Sequence, residues 1–162
     1  MKKAILCMLL LSCAALAEVD KAQLDLFKKE AATLEADIDN VMSSTIPSRG
    51  MAESTKATYL EGYGAVFTLE ASLAPTQSPF SRVKTPAEVR STVVERRKDI
   101  ETKLSSLLKD RVATMRSVAS TEAVTVIVHL FNANPVDVPD LPSQIVFTVK
   151  KQNQTEVVRS YQ

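Results

Sequence analysis

The chain is poor in the residues that build metal sites and disulfides. It has one histidine, His129, no tryptophan, and two cysteines, Cys7 and Cys13. Both cysteines lie in the first 17 residues, so a chain that loses this segment has no thiol, no disulfide and no cysteine-based metal site. We therefore expect residues 18–162 to be stabilised by packing, and we expect no metal ion and no other cofactor.

The chain also has few glycines and a small net charge. Two of the three glycines are Gly62 and Gly64, on either side of Tyr63. The chain has neither the G-x-x-x-x-G-K-[ST] nor the G-x-G-x-x-G motif, which excludes these two phosphate-binding loops. Its formal net charge is +1, and a nearly neutral chain has no overall electrostatic attraction to nucleic acid. We therefore predict no nucleic-acid partner.

The first segment of the chain is typical of a bacterial export signal. Two lysines precede an apolar run at residues 4–11, and the segment ends in Ala15-Leu16-Ala17, the small-residue pattern of a cleavage site. The run is shorter than the roughly 20 apolar residues that span a bilayer. We therefore predict a signal peptide at residues 1–17, cleavage before Glu18, and one periplasmic or secreted domain at residues 18–162.

A second interpretation of this segment is a lipoprotein signal. Leu10-Leu11-Ser12-Cys13 resembles a lipobox, in which Cys13 is lipidated and becomes the first residue. Acyl chains on Cys13 would tie the domain to a membrane. Small residues are commoner than leucine at the place of Leu11, so we favour cleavage before Glu18 and expect membrane attachment only if Cys13 is lipidated.

An N-terminal helix is predicted at residues 18–44, because apolar side chains recur there at alternating steps of three and four. The stripe consists of Leu24, Phe27, Ala31, Leu34, Ile38 and Val41. We favour an amphipathic helix that packs on the sheet of its own domain. The alternative is a coiled-coil interface with a second copy, formed by Leu24, Phe27, Leu34 and Ile38.

A second helix is predicted at residues 85–118. Thr85-Pro86-Ala87-Glu88 has the pattern of a capping box, in which the Thr85 hydroxyl accepts from the N–H of Glu88 and the Glu88 carboxylate accepts from the N–H of Thr85. Pro86 falls at the first helical position, where its missing N–H costs nothing. An apolar stripe from Val89 to Met115 follows.

Strands are predicted where apolar residues alternate with polar ones or where β-branched residues cluster, at residues 59–73, 123–131, 144–151 and 155–161. Residues 45–58 contain Pro47 and Gly50 and are predicted to be a linker. The expected fold class is α+β, in the order α-β-α-β-β-β. Two long helices should lie on one face of a mixed or antiparallel four-stranded sheet, and the last three strands should form a meander.

The glycine pair offers one candidate binding site. Glycine permits positive φ and close backbone approach, so Gly62 and Gly64 are predicted to form a bulge or bend where the strand enters the sheet. The functional alternative is a ligand-binding site beside Tyr59 and Tyr63.

His129 is the other candidate, and a lone histidine in a strand is more often a packed residue than a catalyst. The functional alternative is a hydrolase-like site that combines His129 with Glu61, Glu70 or Tyr63. Because the chain lacks a G-x-S-x-G elbow, no serine context supports that site.

The stretch Tyr59-Leu60-Glu61-Gly62-Tyr63-Gly64-Ala65-Val66-Phe67-Thr68-Leu69-Glu70 resembles one in small exported bacterial proteins that have no known activity. In those proteins a glycine-containing strand, a long helix and a valine-rich strand follow in order, as here at residues 59–73, 85–118 and 123–131. The resemblance implies an envelope or secreted location. It carries over no catalytic residue.

Three functional hypotheses follow from these patterns. The first is an exported non-catalytic module of the cell envelope that binds a protein or an envelope polymer. The second is a homo-oligomeric structural protein that assembles through the N-terminal helix. The third is an envelope enzyme that uses His129. We favour them in that order.

Overall fold

The computed structural model describes residues 21–46, 51–75, 80, 82–131, 138–153 and 156–161. The predicted signal peptide, with Cys13, lies outside the described residues. The elements in chain order are α1 at Lys21–Thr45, β1 at Met51–Leu60, β2 at Gly64–Ala71, α2 at Pro86–Thr114, β3 at Ala123–Leu130, β4 at Gln144–Lys150, a 3₁₀ turn at Lys151–Asn153, and β5 at Val158–Tyr161. The α+β class is confirmed.

The described strands form one five-stranded sheet in which spatial order follows chain order, β1-β2-β3-β4-β5. β2 and β3 are parallel and are connected through α2, whereas the other three pairs are antiparallel. A parallel pair needs a long crossover, which α2 supplies. The mixed sheet and the meander of the last three strands are therefore confirmed.

The prediction of four strands was wrong, because it missed β1. Most of β1 lies in the segment predicted to be a linker, and the predicted strand at residues 59–73 is in fact the end of β1, a turn at residues 61–63, and β2. β1 has little apolar alternation of its own. It is held by antiparallel pairing with β2 and by two carboxylates of α1.

These two carboxylates bond the outer edge of β1. Asp39 Oδ1 accepts from the N–H of Thr55 at 3.0 Å and from its hydroxyl at 2.6 Å, and Glu35 Oε1 accepts from the N–H of Ala57 at 2.7 Å. Hydrogen bonds to charged acceptors are stronger than neutral ones. Such contacts stabilise a strand whose own sequence favours no regular structure.

Both helices pack on the same face of the sheet. Their buried residues share one core with alternate residues of the three central strands, which are Ala65, Phe67, Leu69, Ala71, Val124, Val126, Val128, Ile145, Phe147 and Val149. Complete burial of one such large side chain contributes about 1.5–3 kcal/mol. Among the described residues, the other face of the sheet therefore carries no helix.

The apolar stripe of α1 packs inside its own domain, as the favoured interpretation predicted. Phe27, Leu34 and Ile38 are buried in the core, whereas Leu24 is 37% exposed. The three buried side chains are not available for an interface with a second copy, and the described helices form no coiled coil. Three of the four residues of the predicted oligomer interface therefore serve the core of their own domain.

The capping box at the start of α2 is confirmed, but the end of the helix is not where the apolar pattern put it. The N–H of Glu88 donates to Thr85 Oγ1 at 3.3 Å, and the N–H of Thr85 donates to Glu88 Oε2 at 2.8 Å. α2 ends at Thr114 instead of Val118. The reason is tertiary, because the side chains of Glu30 and Lys151 bind the backbone of residues 115–118.

Candidate functional site

The face of the sheet that points away from the helices carries a row of β-branched side chains. Successive strand residues point to opposite faces, so the positions between the core residues lie on this side. On the three central strands they include six residues that we call the open face: Val66, Thr68, Thr125, Ile127, Val146 and Thr148. Five of them are half-buried and Thr125 is buried, at 3% exposure.

The strand register arranges the open face in two ladders. Val66, Thr125 and Thr148 lie opposite one another on β2, β3 and β4, and so do Thr68, Ile127 and Val146. Branched side chains at directly opposed positions pack against each other and stabilise the sheet. They also have few rotamers, so the open face is a rigid surface of methyl and hydroxyl groups.

The β1–β2 turn covers one end of the open face. The Tyr63 hydroxyl lies 2.9 Å from Thr125 Oγ1, which in turn lies 3.3 Å from Thr148 Oγ1. The backbone of Tyr63 also joins β3, because its carbonyl accepts from the N–H of Ala123 at 2.9 Å. These contacts fix the tyrosine ring on the open side of the sheet.

Gly62 and Gly64 make this turn possible, in agreement with the predicted bend. Their φ values are +75° and +119°, which side-chain-bearing residues rarely adopt. A Cβ on Gly64 would lie 2.0 Å from the carbonyl oxygen of Ala123, whereas a Cβ on Gly62 would meet open space. The glycines therefore serve backbone geometry, and the bend is a hairpin turn.

Tyr59 lies on the opposite face of the sheet from Tyr63. Its hydroxyl donates to the two carboxylate oxygens of Glu122 at 2.9 and 3.0 Å, and its ring centre is 5.3 Å from that of Phe27. Burial and the bond to Glu122 raise the pKa of Tyr59 to about 12. The two tyrosines thus do not form the single binding site considered from the sequence.

A shallow groove borders the open face at the far end of β2. It has a volume of about 190 Å³ and is lined by Ser54, Lys56, Thr68, Leu69, Glu70 and His129. Glu70 and His129 are register partners on β2 and β3. An imidazole, a carboxylate and an ammonium group close together can bind a polar group by hydrogen bonds.

The groove joins only one of the three residues that the enzyme hypothesis set beside His129. Glu70 lies in it, whereas Glu61 and Tyr63 lie in the hairpin turn at the other end of β2. Six strand residues separate these ends by about 20 Å. The structure therefore brings Glu70 to His129 and leaves Glu61 and Tyr63 at the other end of the strand.

A polar cluster that no local sequence pattern indicated holds the loop between α2 and β3. Glu30 accepts from the N–H of Arg116 at 2.9 Å, from the N–H of Ser117 at 3.0 Å, and from the Ser117 hydroxyl at 2.7 Å. Glu122 accepts from the N–H of Ala119 at 2.8 Å. Each carboxylate is engaged by the protein's own donors, so this cluster is a structural support.

Lys151 completes the support of this loop. Its ammonium donates to the carbonyl of Met115 and, at 2.5 Å, to that of Val118. These carbonyls follow the last turn of α2, where a cation is favourable because the helix dipole is negative at that end. Residues 115–118 therefore leave the helix to bind Lys151 and Glu30.

A larger groove, of about 590 Å³, lies between the end of α1 and α2. Two of its charged groups, Arg96 and Asp99, have protein partners. Arg96 donates to the carbonyls of Leu73 and Ala74 at 3.0 Å, and Asp99 pairs with Lys103 at 2.7 Å. These contacts tie α2 to its neighbours, and they make this groove a weaker binding candidate than the open face.

Comparison of the chain with protein-family models, with curated proteins and with solved structures finds no match. Over the ranges that the structure describes, neither helix has the length and apolar character to cross a bilayer. In the same ranges, no three histidine, cysteine or acidic side chains are grouped to hold a metal ion. The open face and the groove beside it are the features from which a function is inferred.

Proposed function

We propose that the protein is an exported, non-catalytic module of the bacterial cell envelope, and that it binds a protein or an envelope polymer through the open face. The observation that carries the proposal is the one-sided packing of the sheet. Both helices cover one face, while the other presents two ladders of valine, isoleucine and threonine. The ladders are preformed, so little side-chain entropy is lost on binding.

The surroundings of the open face support a binding role. Interfaces commonly have an apolar centre and a polar rim. Here Val66, Ile127 and Val146 lie at the centre, and Lys56 and Glu70 of the groove lie at the border. The predicted signal peptide supports an envelope location for the partner.

The test compares two substitutions of a β-branched apolar residue by lysine. Ile127→Lys places a charge in the middle of the open face, whereas Val94→Lys places it on α2 at a side chain that is already 57% exposed. We expect Ile127→Lys to abolish complementation of a deletion strain at normal protein abundance, and Val94→Lys to complement fully.

Two further measurements make this comparison decisive. Circular dichroism and thermal unfolding show whether Ile127→Lys is folded. A photo-crosslinking amino acid at residue 127 should give an adduct in living cells, and the same amino acid at residue 109, on an exposed helix position, should not. Full complementation by a folded Ile127→Lys protein, without an adduct at residue 127, contradicts the proposal.

A second candidate function is a hydrolase-like activity of His129 with Glu70. The observation that favours it is their common groove. It ranks below binding, because general acid–base catalysis needs a positioned pair of groups, and within the described residues the His129 imidazole makes no hydrogen bond to Glu70.

A further inference from the structure

The two edges of the sheet differ in how their backbone groups are bonded. At the β1 edge, Glu35 and Asp39 of α1 accept from the N–H groups of Ala57 and Thr55. The register of β1 against β2 also shifts near the start of the strand. Side chains of α1 thus take hydrogen bonds that a further strand would need, and this blocks the edge.

The β5 edge has no such block. β5 pairs with β4 on one side, and within the part of the chain that the structure describes no hydrogen bond reaches its backbone from the other side. All four of its residues are exposed, Val158 at 54% and Tyr161 at 45%. Free N–H and C=O groups on an edge strand are a template for another strand.

α2 holds β5 in a fixed position. Arg159 Nη1 donates to Glu101 Oε2 at 3.3 Å, and the Tyr161 hydroxyl donates to Glu101 Oε1 at 3.1 Å. The guanidinium carbon of Arg97 lies 4.6 Å from the centre of the Tyr161 ring. The edge is therefore ordered before any partner arrives, which lowers the entropic cost of pairing.

We propose that β5 pairs antiparallel with β5 of a second copy of this chain, which joins the two five-stranded sheets into one continuous sheet. The self-association goes beyond the proposed function and does not depend on it. The sheet edge is its interface, whereas the open face is the proposed site for the envelope partner.

The sequence of β5 selects one register for this pairing. Directly opposed residues of an antiparallel pair lie on the same face, so a symmetric pairing places one residue opposite itself. With Ser160 at the two-fold axis, Arg159 lies opposite the partner's Tyr161, a favourable cation–π pair. With Arg159 at the axis, two like charges face each other, and centring on Val158 or Tyr161 leaves most of the strand unpaired.

The blocked β1 edge limits the assembly to two copies. The axis is perpendicular to the sheet, so both helix layers lie on the same side. The outer edges of the joined sheet are then the two β1 edges, whose N–H groups at Thr55 and Ala57 are taken by α1. Closed two-fold pairing avoids the open-ended stacking that unprotected edges permit.

Sedimentation equilibrium over a concentration series tests the association. We expect a species of twice the monomer mass that dissociates on dilution. Ser160→Lys puts two like charges a few ångströms apart at the axis and should weaken the dimer about fivefold or more. Ser106→Lys, the same change at an exposed position of α2, should leave it unchanged. A monomer at every concentration, or equal association in the two variants, overturns the proposal.

Cysteine cross-linking tests the register and does not rely on Ser160→Lys folding normally. Cys7→Ser and Cys13→Ser remove the only other thiols. Opposed Cα atoms in antiparallel strands lie about 4.5–5.5 Å apart, within disulfide range. Ser160→Cys should therefore form a disulfide-linked dimer in oxidising buffer, whereas Val158→Cys should not. Cross-linking of both variants at one rate, or of neither, contradicts the proposal.

Discussion

At the scale of single residues, backbone geometry and hydrogen bonds to a half-buried carboxylate decide which positions accept substitution. Gly64 lies where any side chain would strike the carbonyl of Ala123, and Glu30 lies where its carboxylate accepts three hydrogen bonds from the loop after α2. Neither position lies on the open face. Both hold the elements that present it.

The two glycines of the hairpin turn should differ in their tolerance of alanine. Both need a positive φ, which costs a non-glycine residue about 1–2 kcal/mol. Gly64→Ala adds the clash with Ala123 and should lower the free energy of unfolding by about 3 kcal/mol or more, whereas Gly62→Ala should cost about 1 kcal/mol. Urea unfolding measures both values, and equal midpoints for the two variants would show that the clash is relieved.

Glu30 should contribute a pH-dependent part of the stability. Burial raises its pKa, but the bonds from the Ser117 hydroxyl and from the N–H groups of Arg116 and Ser117 outweigh burial, so the pKa lies below the ordinary 4.5. A lowered pKa in the folded state means that the contribution is complete above the unfolded pKa and is lost as the pH falls through the folded one.

Urea unfolding as a function of pH measures this contribution. Glu30→Gln should lower the stability near neutral pH and flatten the decline below about pH 4.5. Glu95→Gln removes the same charge from an exposed position of α2 and is the matched control. A decline in Glu30→Gln that is as steep as in the unsubstituted protein would exclude the carboxylate as its source.

His129 separates the two candidate functions. A binding module should keep its biological role in His129→Ala, because a half-buried side chain at the border of the open face contributes only some packing. An enzyme that depends on the single histidine of the chain would lose its activity. The assay is complementation with protein abundance checked by blot, and loss of function at normal abundance would place the enzyme first.

At the scale of elements, the two ends of α2 are fixed by polar contacts that differ in sequence separation. α2 begins at a local capping box, where Thr85 and Glu88 bond each other. It ends where Lys151, in the turn after β4, binds the carbonyls of residues 115 and 118. α1 contributes carboxylates to β1 and to the loop after α2. Polar contacts thus determine where α2 begins and ends, while apolar residues pack the helices on the sheet.

The threonine of the capping box should contribute more to the free energy of unfolding than a threonine inside the helix. Thr85→Ala removes the N-cap acceptor and should lower the free energy of unfolding by about 1 kcal/mol. Thr102→Ala is the control, because Thr102 is exposed in the middle of α2 and its hydroxyl bonds only the carbonyl of Lys98 in the preceding turn. Chemical denaturation compares them, and unchanged stability in Thr85→Ala would argue against the cap.

At the scale of the whole molecule, the described elements divide the sheet into a structural face, which both helices cover, and a free face. The helices, the polar cluster around Glu30 and Glu122, and the ion pairs of α2 all lie on the structural side. The free side carries the open face and the groove with His129. The dimer that we propose would place two open faces on the same side, because its axis is perpendicular to the sheet.

The exported form should begin at Glu18. The reason is the Ala15-Leu16-Ala17 ending of the predicted signal peptide, and intact-mass measurement of the protein recovered from the envelope fraction checks it. A diacylglycerol adduct that disappears in Cys13→Ala would instead establish the lipoprotein form and attach the domain to a membrane.

The sequence alone determined the features that depend on neighbours along the chain. The α+β class, both helices, the cap at Thr85 and the alternation of β3 and β4 follow from local periodicity and side-chain chemistry.

Only the tertiary structure decided the features that depend on partners far along the chain. β1 was missed because its polar sequence has no period, and because pairing with β2 and bonds from Glu35 and Asp39 stabilise it. Register places His129 beside Glu70, and contacts of the hairpin turn with β3 hold Tyr63 on the face opposite Tyr59. Glu30 reaches Ser117 across 87 positions of sequence. Contacts of this range leave no local pattern, since the fold brings the two segments together.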